Sequence, residues 1–270
     1  MYTIEKNFAP ESSFDIDNDM SMDKICKART TGGFLVGHVI MWNSEKEFLQ
    51  VSLGNNFHGI LPLEEATIYP IKTSPYFTVG ATIYSMVGKK ICITVKDVSE
   101  DAIVLSRKDN LLKAFEYIKK NSKQTFIAQI TSLKDCGTFG DIGLGLTGLI
   151  PYKELTAARI AHPTDAGFEL KQYITVKIAE INPGNYHISL DHKTTCKNIS
   201  LDLRENDIIV ATSLARVNSD GFFGHVNPNT TAIIDVPQKV DLPYGSRVIC
   251  RVKTTKSDKL KLDFISFAFD

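Results

Sequence analysis

Apolar and polar residues alternate along most of the chain in short runs rich in Val, Ile, Phe and Thr, separated by Gly, Asn, Asp and Pro. A period of two is the pattern of a strand that buries one face, so the chain is predicted to be mostly β. Two segments follow a helical period instead. Residues 108–120 place Leu111, Phe115 and Ile118 on one face, and residues 19–28 form a shorter helical segment.

The strand pattern repeats along the chain. Residues 59–66 (GILPLEEA) match residues 148–155 (GLIPYKEL), 89 positions later. Each repeat is predicted to contain five short strands, with a longer connection after the third. Five strands in about 70 residues would leave two long edges exposed as a flat sheet, so we expect each repeat to close into a small barrel.

The sequence therefore predicts an all-β fold with short helices, in which three five-stranded barrels follow one another. The predicted divisions are a mobile N-terminus with a lead-in helix (1–32), barrel one (33–106), a linker helix (107–123), barrel two (124–193), a second linker (194–204) and a shorter, degenerate barrel three (205–270).

Composition and charge narrow the classes of function. The 270 residues carry 31 Lys+Arg and 31 Asp+Glu, and zero net charge argues against a histone-like protein held by bulk charge. Basic residues nevertheless cluster in 107–123 and 247–261, which permits nucleic-acid binding. Five scattered cysteines without a Cys-x-x-Cys pair favour reduced thiols in a cytoplasm. No apolar run is long enough to cross a bilayer, so we expect no membrane partner.

Two motifs that suggest other chemistry lie in the wrong context. Residues 143–148 (GLGLTG) fit a Gly-x-Gly-x-x-Gly pattern, but the last glycine leads into a strand instead of a helix, so we expect these glycines to shape a turn. His187, Asp191 and His192 do not share one strand face, so we expect no metal site. We predict no cofactor and no enzymatic activity.

The repeated strings resemble the RNA-binding domain of the ribosomal protein S-one family, a member of the OB-fold class. The strings that carry the resemblance are LVGHV (35–39), GILP (59–62), VLSRK (104–108) and GLIP (148–151). The resemblance covers residues 20–193 well and 205–266 weakly. It implies three tandem S-one-type OB-fold barrels in a bacterial cytoplasmic protein, with single-stranded RNA as a partner and the small ribosomal subunit as a further one.

The resemblance also implies a set of RNA-facing residues. The family carries two aromatics on the second strand, a His on the third, and an Asp and an Arg around the last turn. The candidate RNA-binding residues are Phe222, Phe223, His225, Lys253, Lys256 and Lys259 in barrel three, Phe139 and Tyr186 in barrel two, and Phe48 and Arg107 in barrel one. Pro62 and Pro151 replace the His in barrels one and two, which favours barrel three.

Strand alternation adds a prediction for barrel three. Phe222 and Phe223 are neighbours, so one ring should fill the core and the other should face outward. The family places Phe223 at the second aromatic position, where a base would stack for about 1–3 kcal/mol. An outward ring also fits packing against a neighbouring barrel, and for Phe139 a core position is favoured over a surface one.

Three functional hypotheses follow. The first is a non-enzymatic protein that binds single-stranded RNA in translation or RNA handling. The second is a docking scaffold that binds the ribosome or another complex with little RNA contact, which the missing family residues favour. The third is an enzyme, such as a ribonuclease accessory chain, for which no acid–base or metal set stands out. The oligomeric state and the identity of the RNA stay open.

Overall fold

The fold is described from a computed structural model, which describes residues 2–69, 81–156, 163, 168–195, 203–217, 221–227, 230–237, 240–254 and 260–268. The strands of barrel one are β1 (Phe34–Asn43), β2 (Phe48–Gly54), β3 (Phe57–Pro62), β4 (Lys90–Val98) and β5 (Ile103–Ser106). Those of barrel two are β6 (Thr125–Lys134), β7 (Gly137–Gly143), β8 (Leu146–Pro151), β9 (Tyr173–Asn182) and β10 (His187–Asp191). Those of barrel three are β11 (Ile208–Arg216), β12 (Gly221–Asn227), β13 (Thr230–Asp235), β14 (Arg247–Thr254) and β15 (Leu260–Phe267). The α-helices are α1 (Met22–Thr31), α2 (Ala81–Tyr84), α3 (Lys108–Lys120) and α4 (Tyr152–Leu155), and 3-10 turns occupy Glu11–Ser13 and Leu63–Glu65.

Each set of five strands closes into a barrel, which confirms the predicted fold class. The strand orders are β1-β2-β3-β5-β4, β6-β7-β8-β10-β9 and β11-β12-β13-β15-β14. The third and fifth strands of each barrel pair in parallel, and each longer connection after the third strand makes this crossover possible. Among the described strands, closure leaves no unpaired sheet edge, so each short strand has a neighbour on both sides.

The chain divides into two compact units. The first comprises residues 1–129, 140–148 and 178–188, and the second comprises residues 130–139, 149–177 and 189–270. Strands of barrel two contribute to both units. The fifteen strands in the described part of the chain fall within the predicted barrel ranges, and the domain limits themselves stay a prediction.

Along each strand, every second residue points inward, and these inward-facing residues form the core of the barrel. The core of barrel one extends from strand residues such as Leu49 and Leu105 to Ile25 of α1 and Ile83 of α2. The core of barrel three consists of strand residues such as Phe222, Ile234 and Val248, with Leu242 from the connection before β14. Burial of these apolar side chains is the main driving force for closing the barrels.

Helix α3 covers the predicted range and packs its apolar stripe inward, with Leu111, Phe115 and Ile118 all buried. Asn110 Nδ2 donates a 3.2 Å hydrogen bond to the Cys92 carbonyl on β4. The Phe115 ring meets the Tyr186 ring edge to face, with centroids 5.3 Å apart. The helix is therefore held by side-chain contacts at both of these points.

The N-terminal segment (residues 2–21) belongs to the first unit and packs on β1, where the sequence predicts a mobile terminus. Tyr2 and Phe14 each place a ring 5.3 Å from the Phe34 ring on β1. Glu11 accepts hydrogen bonds from Arg107, with Nε–Oε1 and Nη2–Oε2 distances of 3.2 and 3.0 Å. An aromatic cluster and a buried ion pair together offset the entropy that ordering this segment costs.

The N-terminal segment also contacts the glycine-rich turn between β7 and β8. Gly143 and Gly145 have φ of 155° and 84°, and a Cβ atom at these positions would meet the Phe8 ring and the Arg107–Glu11 pair, respectively. Asp141 accepts hydrogen bonds from the backbone N–H groups of Glu11, Gly143 and Gly145 at 2.6, 2.9 and 3.1 Å. The glycines shape a turn, as predicted from their context, and permit close approach of the segment.

Among the described residues, no helix has the length and apolar character needed to cross a membrane. Over the same residues, no three His, Cys, Asp or Glu side chains form a group suited to a metal ion. His192, one of the residues considered above for a metal, places Nδ1 2.7 Å from the Thr175 carbonyl oxygen.

Candidate nucleic-acid interface

Strand alternation separates the two neighbouring rings on β12. Phe222 is 3% exposed and belongs to the core of barrel three. Phe223 points to the outer face and is half-buried. The Arg216 guanidinium lies 5.2 Å from the centroid of the Phe222 ring, at the end of the strand pair. Phe222 therefore fills the barrel, and Phe223 lies at its outer surface.

The strand register places Phe223 in a row with an aliphatic residue and a cation. Phe223 pairs with Ile233 across β12–β13, and Ile233 pairs with Lys261 across β13–β15. Paired residues share a sheet face, so the three side chains form one row across the outside of the barrel, which we call the outer row of barrel three. Lys261 is exposed and lies two strands from Phe223, at roughly 10 Å.

The next row carries the predicted cation Lys253. Asp235 pairs with Asp263, and Lys253 Nζ bridges both carboxylates at 3.1 and 3.2 Å. The hydrogen bond to Asp235, the larger cause, and the hydrogen bond to Asp263 both raise the pKa of Lys253. Lys253 therefore offsets two acids beside the outer row. Lys256 and Lys259 lie outside the described residues.

His225 lies two residues beyond Phe223 on β12, between Thr212 and Thr231. Alternation places it on the same face as Phe223, but it is buried. Its ring therefore offers a ligand little surface, and Lys261 provides a better placed polar group. Sequence inspection missed Lys261 as a site residue, although it belongs to the basic stretch 247–261.

The two candidates in barrel two lie in different surroundings. Phe139 is half-buried on β7, and its carbonyl accepts a 3.2 Å hydrogen bond from Thr131 Oγ1. Tyr186 has φ of 56° in the turn before β10, and its ring packs on Phe115 of α3. Phe139 thus keeps part of its ring at the surface, whereas the Tyr186 ring supports the linker helix.

The two candidates in barrel one also differ. Phe48 is half-buried at the start of β2, where it pairs with Asn43 and Pro62. The Arg107 guanidinium is buried and held by Glu11, so it is directed into the protein. The barrel-one position that corresponds to Phe223 holds Gln50, since Gln50 pairs with Ile60 as Phe223 pairs with Ile233.

The corresponding outer row of barrel one lacks a ring and a cation. Ile60 pairs with Val104, as Ile233 pairs with Lys261, so the row reads Gln50, Ile60 and Val104. In barrel two, Leu149 pairs with Ser189 at the same place in the parallel strand pair. Of these two rows, the one in barrel three therefore contains both a ring and a cation, and the one in barrel one contains neither.

Sequence comparison relates the chain to a curated ribosomal protein. No family model matches the chain. Small ribosomal subunit protein bS1 of Staphylococcus saprophyticus is 26% identical over 187 residues, which cover 68% of this chain and 45% of that protein. The chain thus spans less than half the length of the curated relative it matches. The sequence similarity, together with the three closed barrels, confirms the resemblance to the ribosomal protein S-one family.

Solved structures also match in part. A multidomain protein with nucleic acid binding domains from Streptococcus pneumoniae is 16% identical, with a TM-score of 0.29, and the match covers 88% of this chain and 75% of that one. GSP13 from Bacillus subtilis is 17% identical, with a TM-score of 0.26, and the match covers 30% of this chain and 63% of that one.

Proposed function

We propose that the chain binds single-stranded RNA through the outer face of barrel three, without catalysing a reaction. The outer row of Phe223, Ile233 and Lys261 carries this proposal. A ring on which a base stacks and an ammonium group that contacts a phosphate are the two elements that single-strand binding requires. The aliphatic Ile233 between them gives the sugar an apolar surface.

Two further observations support the proposal. The similarity to a ribosomal protein favours a role in translation or RNA handling, with the small ribosomal subunit as a partner. Phe139 offers a second partly exposed ring in barrel two. Weak contacts on linked barrels reinforce one another, because the first contact raises the effective concentration of the RNA at the second.

Salt dependence of RNA binding tests the electrostatic part of the proposal. We expect the logarithm of the association constant for labelled homopolymer RNA to fall linearly with the logarithm of salt concentration, by about 0.7 per phosphate contact. Fluorescence anisotropy at several salt concentrations gives the slope. A flat response would contradict binding through Lys261 and its neighbours.

Substitutions test the residues. Phe223→Ala should weaken RNA binding by about 1–3 kcal/mol because one stacked base loses its platform.

Lys261→Gln should weaken binding and reduce the salt slope by about one phosphate contact. Tyr84→Ala is the matched control, because Tyr84 is an exposed ring on barrel one that lies outside the outer row. Equal affinities for the three folded variants would reject the assignment.

Protein docking is the second candidate function, and barrel one favours it. Its outer row holds Gln50, Ile60 and Val104, which suits contact with a protein better than stacking of bases. In this case, the chain should co-sediment with ribosomes, and the amount bound should be unchanged by Phe223→Ala. Loss of co-sedimentation in this variant would assign the association to RNA contact by barrel three.

The non-catalytic part of the proposal has its own test. Labelled RNA incubated with the chain and magnesium should be recovered at full length on a denaturing gel. Shortened products that depend on the protein would favour the enzyme hypothesis instead.

A further inference from the structure

The outer face formed by the first and fourth strands is covered in barrel one. Leu35, Val39, Ile91 and Ile93 point into the core, so Phe34, Val36, Lys90, Cys92 and Thr94 point outward. Phe34 and Val36 are nevertheless only 1% and 3% exposed. The outward residues of β1 and β4 therefore lie beneath another part of the chain.

The N-terminal segment provides part of this cover with aromatic and acidic groups, and α3 adds to it through Asn110, which donates to the Cys92 carbonyl. The rings of Tyr2 and Phe14 pack on Phe34. Lys90 Nζ lies 2.8 Å from both Asp15 Oδ1 and the Phe14 carbonyl oxygen, and the Cys92 N–H donates to Glu11 at 2.9 Å. Barrel one thus shows which chemistry binds to this face of a barrel: apolar rings over the centre and carboxylates at the cations.

Barrel three has the same face in the same register. The pairs run from Phe34↔Thr94 to His38↔Lys90 in barrel one, and from Ile208↔Arg251 to Thr212↔Arg247 in barrel three. The backbone bonds that follow also match, since Val39 and Ser213 both exchange hydrogen bonds with the turn before the fourth strand. Position by position, Ile208, Val210, Arg247, Ile249 and Arg251 correspond to Phe34, Val36, Lys90, Cys92 and Thr94.

The aliphatic residues of this face are exposed in barrel three, in contrast to those of barrel one. Ile208 and Val210 are 56% and 41% exposed, and Ile249 beside Val210 is half-buried. Arg247 and Arg251 are exposed on β14, on either side of Ile249, and Arg247 also has a contact within the chain. Adjacent exposed β-branched residues are a feature of interaction surfaces, and the two arginines lie where barrel one uses Lys90 to hold Asp15.

We propose that this face of barrel three, formed by Ile208, Val210, Arg247, Ile249 and Arg251, binds an extended segment of a protein partner that carries aromatic and acidic residues. The arginines pair with its carboxylates, and its rings cover the two exposed aliphatic side chains. A peptide suits the face better than RNA, because its centre is aliphatic and offers bases no ring on which to stack. The face is distinct from the outer row, which lies on β12, β13 and β15.

A peptide with the sequence of residues 1–18 is the probe, since this segment fits the corresponding face of barrel one. The labelled peptide is titrated with the full chain, and anisotropy reports binding. We expect saturable binding that weakens by about tenfold or more in the double variant Arg247→Glu/Arg251→Glu, because both carboxylate contacts become repulsive. The same peptide with Glu11→Gln and Asp15→Asn should also bind more weakly.

Lys261→Glu is the matched control, because it reverses a charge on barrel three within the outer row. It should leave peptide binding unchanged and weaken RNA binding, whereas the arginine double variant should show the reverse. Failure of the RNA proposal would therefore appear as an unaltered RNA affinity in Lys261→Glu and would not affect the peptide result. Thermal melting checks that each variant is folded, and Arg247→Gln/Arg251→Gln replaces the double variant if it is not.

Three results would overturn the proposal. The first is no binding of the peptide to the unmodified chain. The second is equal peptide affinity in the folded arginine variant, which would place the peptide elsewhere, for example by exchange onto barrel one. The third is loss of homopolymer RNA binding in this variant with peptide binding intact, which would assign the face to RNA.

Discussion

Barrels one and three share a strand order and a five-pair register between their first and fourth strands, yet they present different outer surfaces. Barrel one carries Gln50 and Val104 in its outer row, and its β1–β4 face is covered by the N-terminal segment and α3. Barrel three carries Phe223 and Lys261, and its corresponding face is exposed.

The difference shows that one inward pattern supports two sets of outward residues. Inward positions are restricted by packing, because a closed barrel has little space for a change in volume. Outward positions are free to carry a ring, a cation or a covering segment. Barrel one uses this freedom to bind its own N-terminal segment, and barrel three places a ring, cations and exposed aliphatic side chains on its surface.

The largest expected effect follows from removing the buried ion pair between Glu11 of the N-terminal segment and Arg107. Glu11→Gln should lower the free energy of unfolding by about 3–5 kcal/mol, because the buried Arg107 guanidinium loses the charge that pairs with it. Urea unfolding followed by Trp42 fluorescence measures the effect, since Trp42 is the single tryptophan and packs on the core of barrel one.

An exposed ion pair between the N-terminal segment and α1 provides the control for Glu11→Gln. Asp17 and Lys24 are 2.7 Å apart, with side chains 35% and 44% exposed, so Asp17→Asn should cost no more than about 1 kcal/mol. Similar losses for the two variants would mean that burial does not increase the contribution of the Glu11–Arg107 pair to the free energy of unfolding.

A smaller effect follows from opening matched cavities in the two cores. Leu105 and Leu262 are fully buried at corresponding positions of β5 and β15, and replacing either by Ala should cost about 2–5 kcal/mol. Leu105→Ala should shift the unfolding transition that Trp42 reports. Leu262→Ala should instead shift a transition seen by far-ultraviolet circular dichroism. An equal shift of the Trp42 transition by Leu262→Ala would show that the barrels unfold as one.

Local patterns predicted much of the fold and some of the candidate site. Alternation predicted the strands, the apolar stripe predicted α3 at 108–120, and the neighbouring positions of Phe222 and Phe223 predicted one inward and one outward ring. These features depend on residues that are close in sequence. The RNA-binding roles of the candidate residues stay predictions.

Features that join distant residues could not be predicted from one sequence. Lys261 joins the outer row through the parallel pairing of β13 with β15, a register that no local pattern specifies. Arg107 finds Glu11 96 positions away, in a segment whose apolar residues follow no regular period. Such contacts depend on how the closed barrel brings its surfaces to the rest of the chain, so a mobile terminus was predicted in their place.

The next effect is a pH dependence at the β7–β8 turn. Burial, followed by the negative charge of Glu11, raises the pKa of Asp141 to about 7. The folded state therefore favours the protonated carboxyl, so this contribution to stability is complete below the unfolded pKa of about 4 and is lost as the pH rises to about 7.

Asp141→Asn isolates this contribution, because the amide does not titrate. The free energy of unfolding of the unmodified chain minus that of the variant should fall between pH 4 and pH 7 and then stay constant. Urea unfolding at a series of pH values, followed by Trp42 fluorescence, gives this difference. A difference that rises with pH over the same interval would mean that the three N–H donors to Asp141 outweigh burial and Glu11.

The smallest expected effect comes from transferring the outer row to barrel one. Gln50→Phe with Val104→Lys gives barrel one the ring and the cation of barrel three at the corresponding positions. If these two side chains suffice, binding of homopolymer RNA should strengthen by about 1 kcal/mol, the lower end of the range for one stacked base, and the salt slope should increase. Introducing the same pair into the Phe223→Ala variant should recover part of the lost affinity. An unchanged affinity in both backgrounds would show that the shape of barrel three, beyond its ring and cation, determines RNA binding.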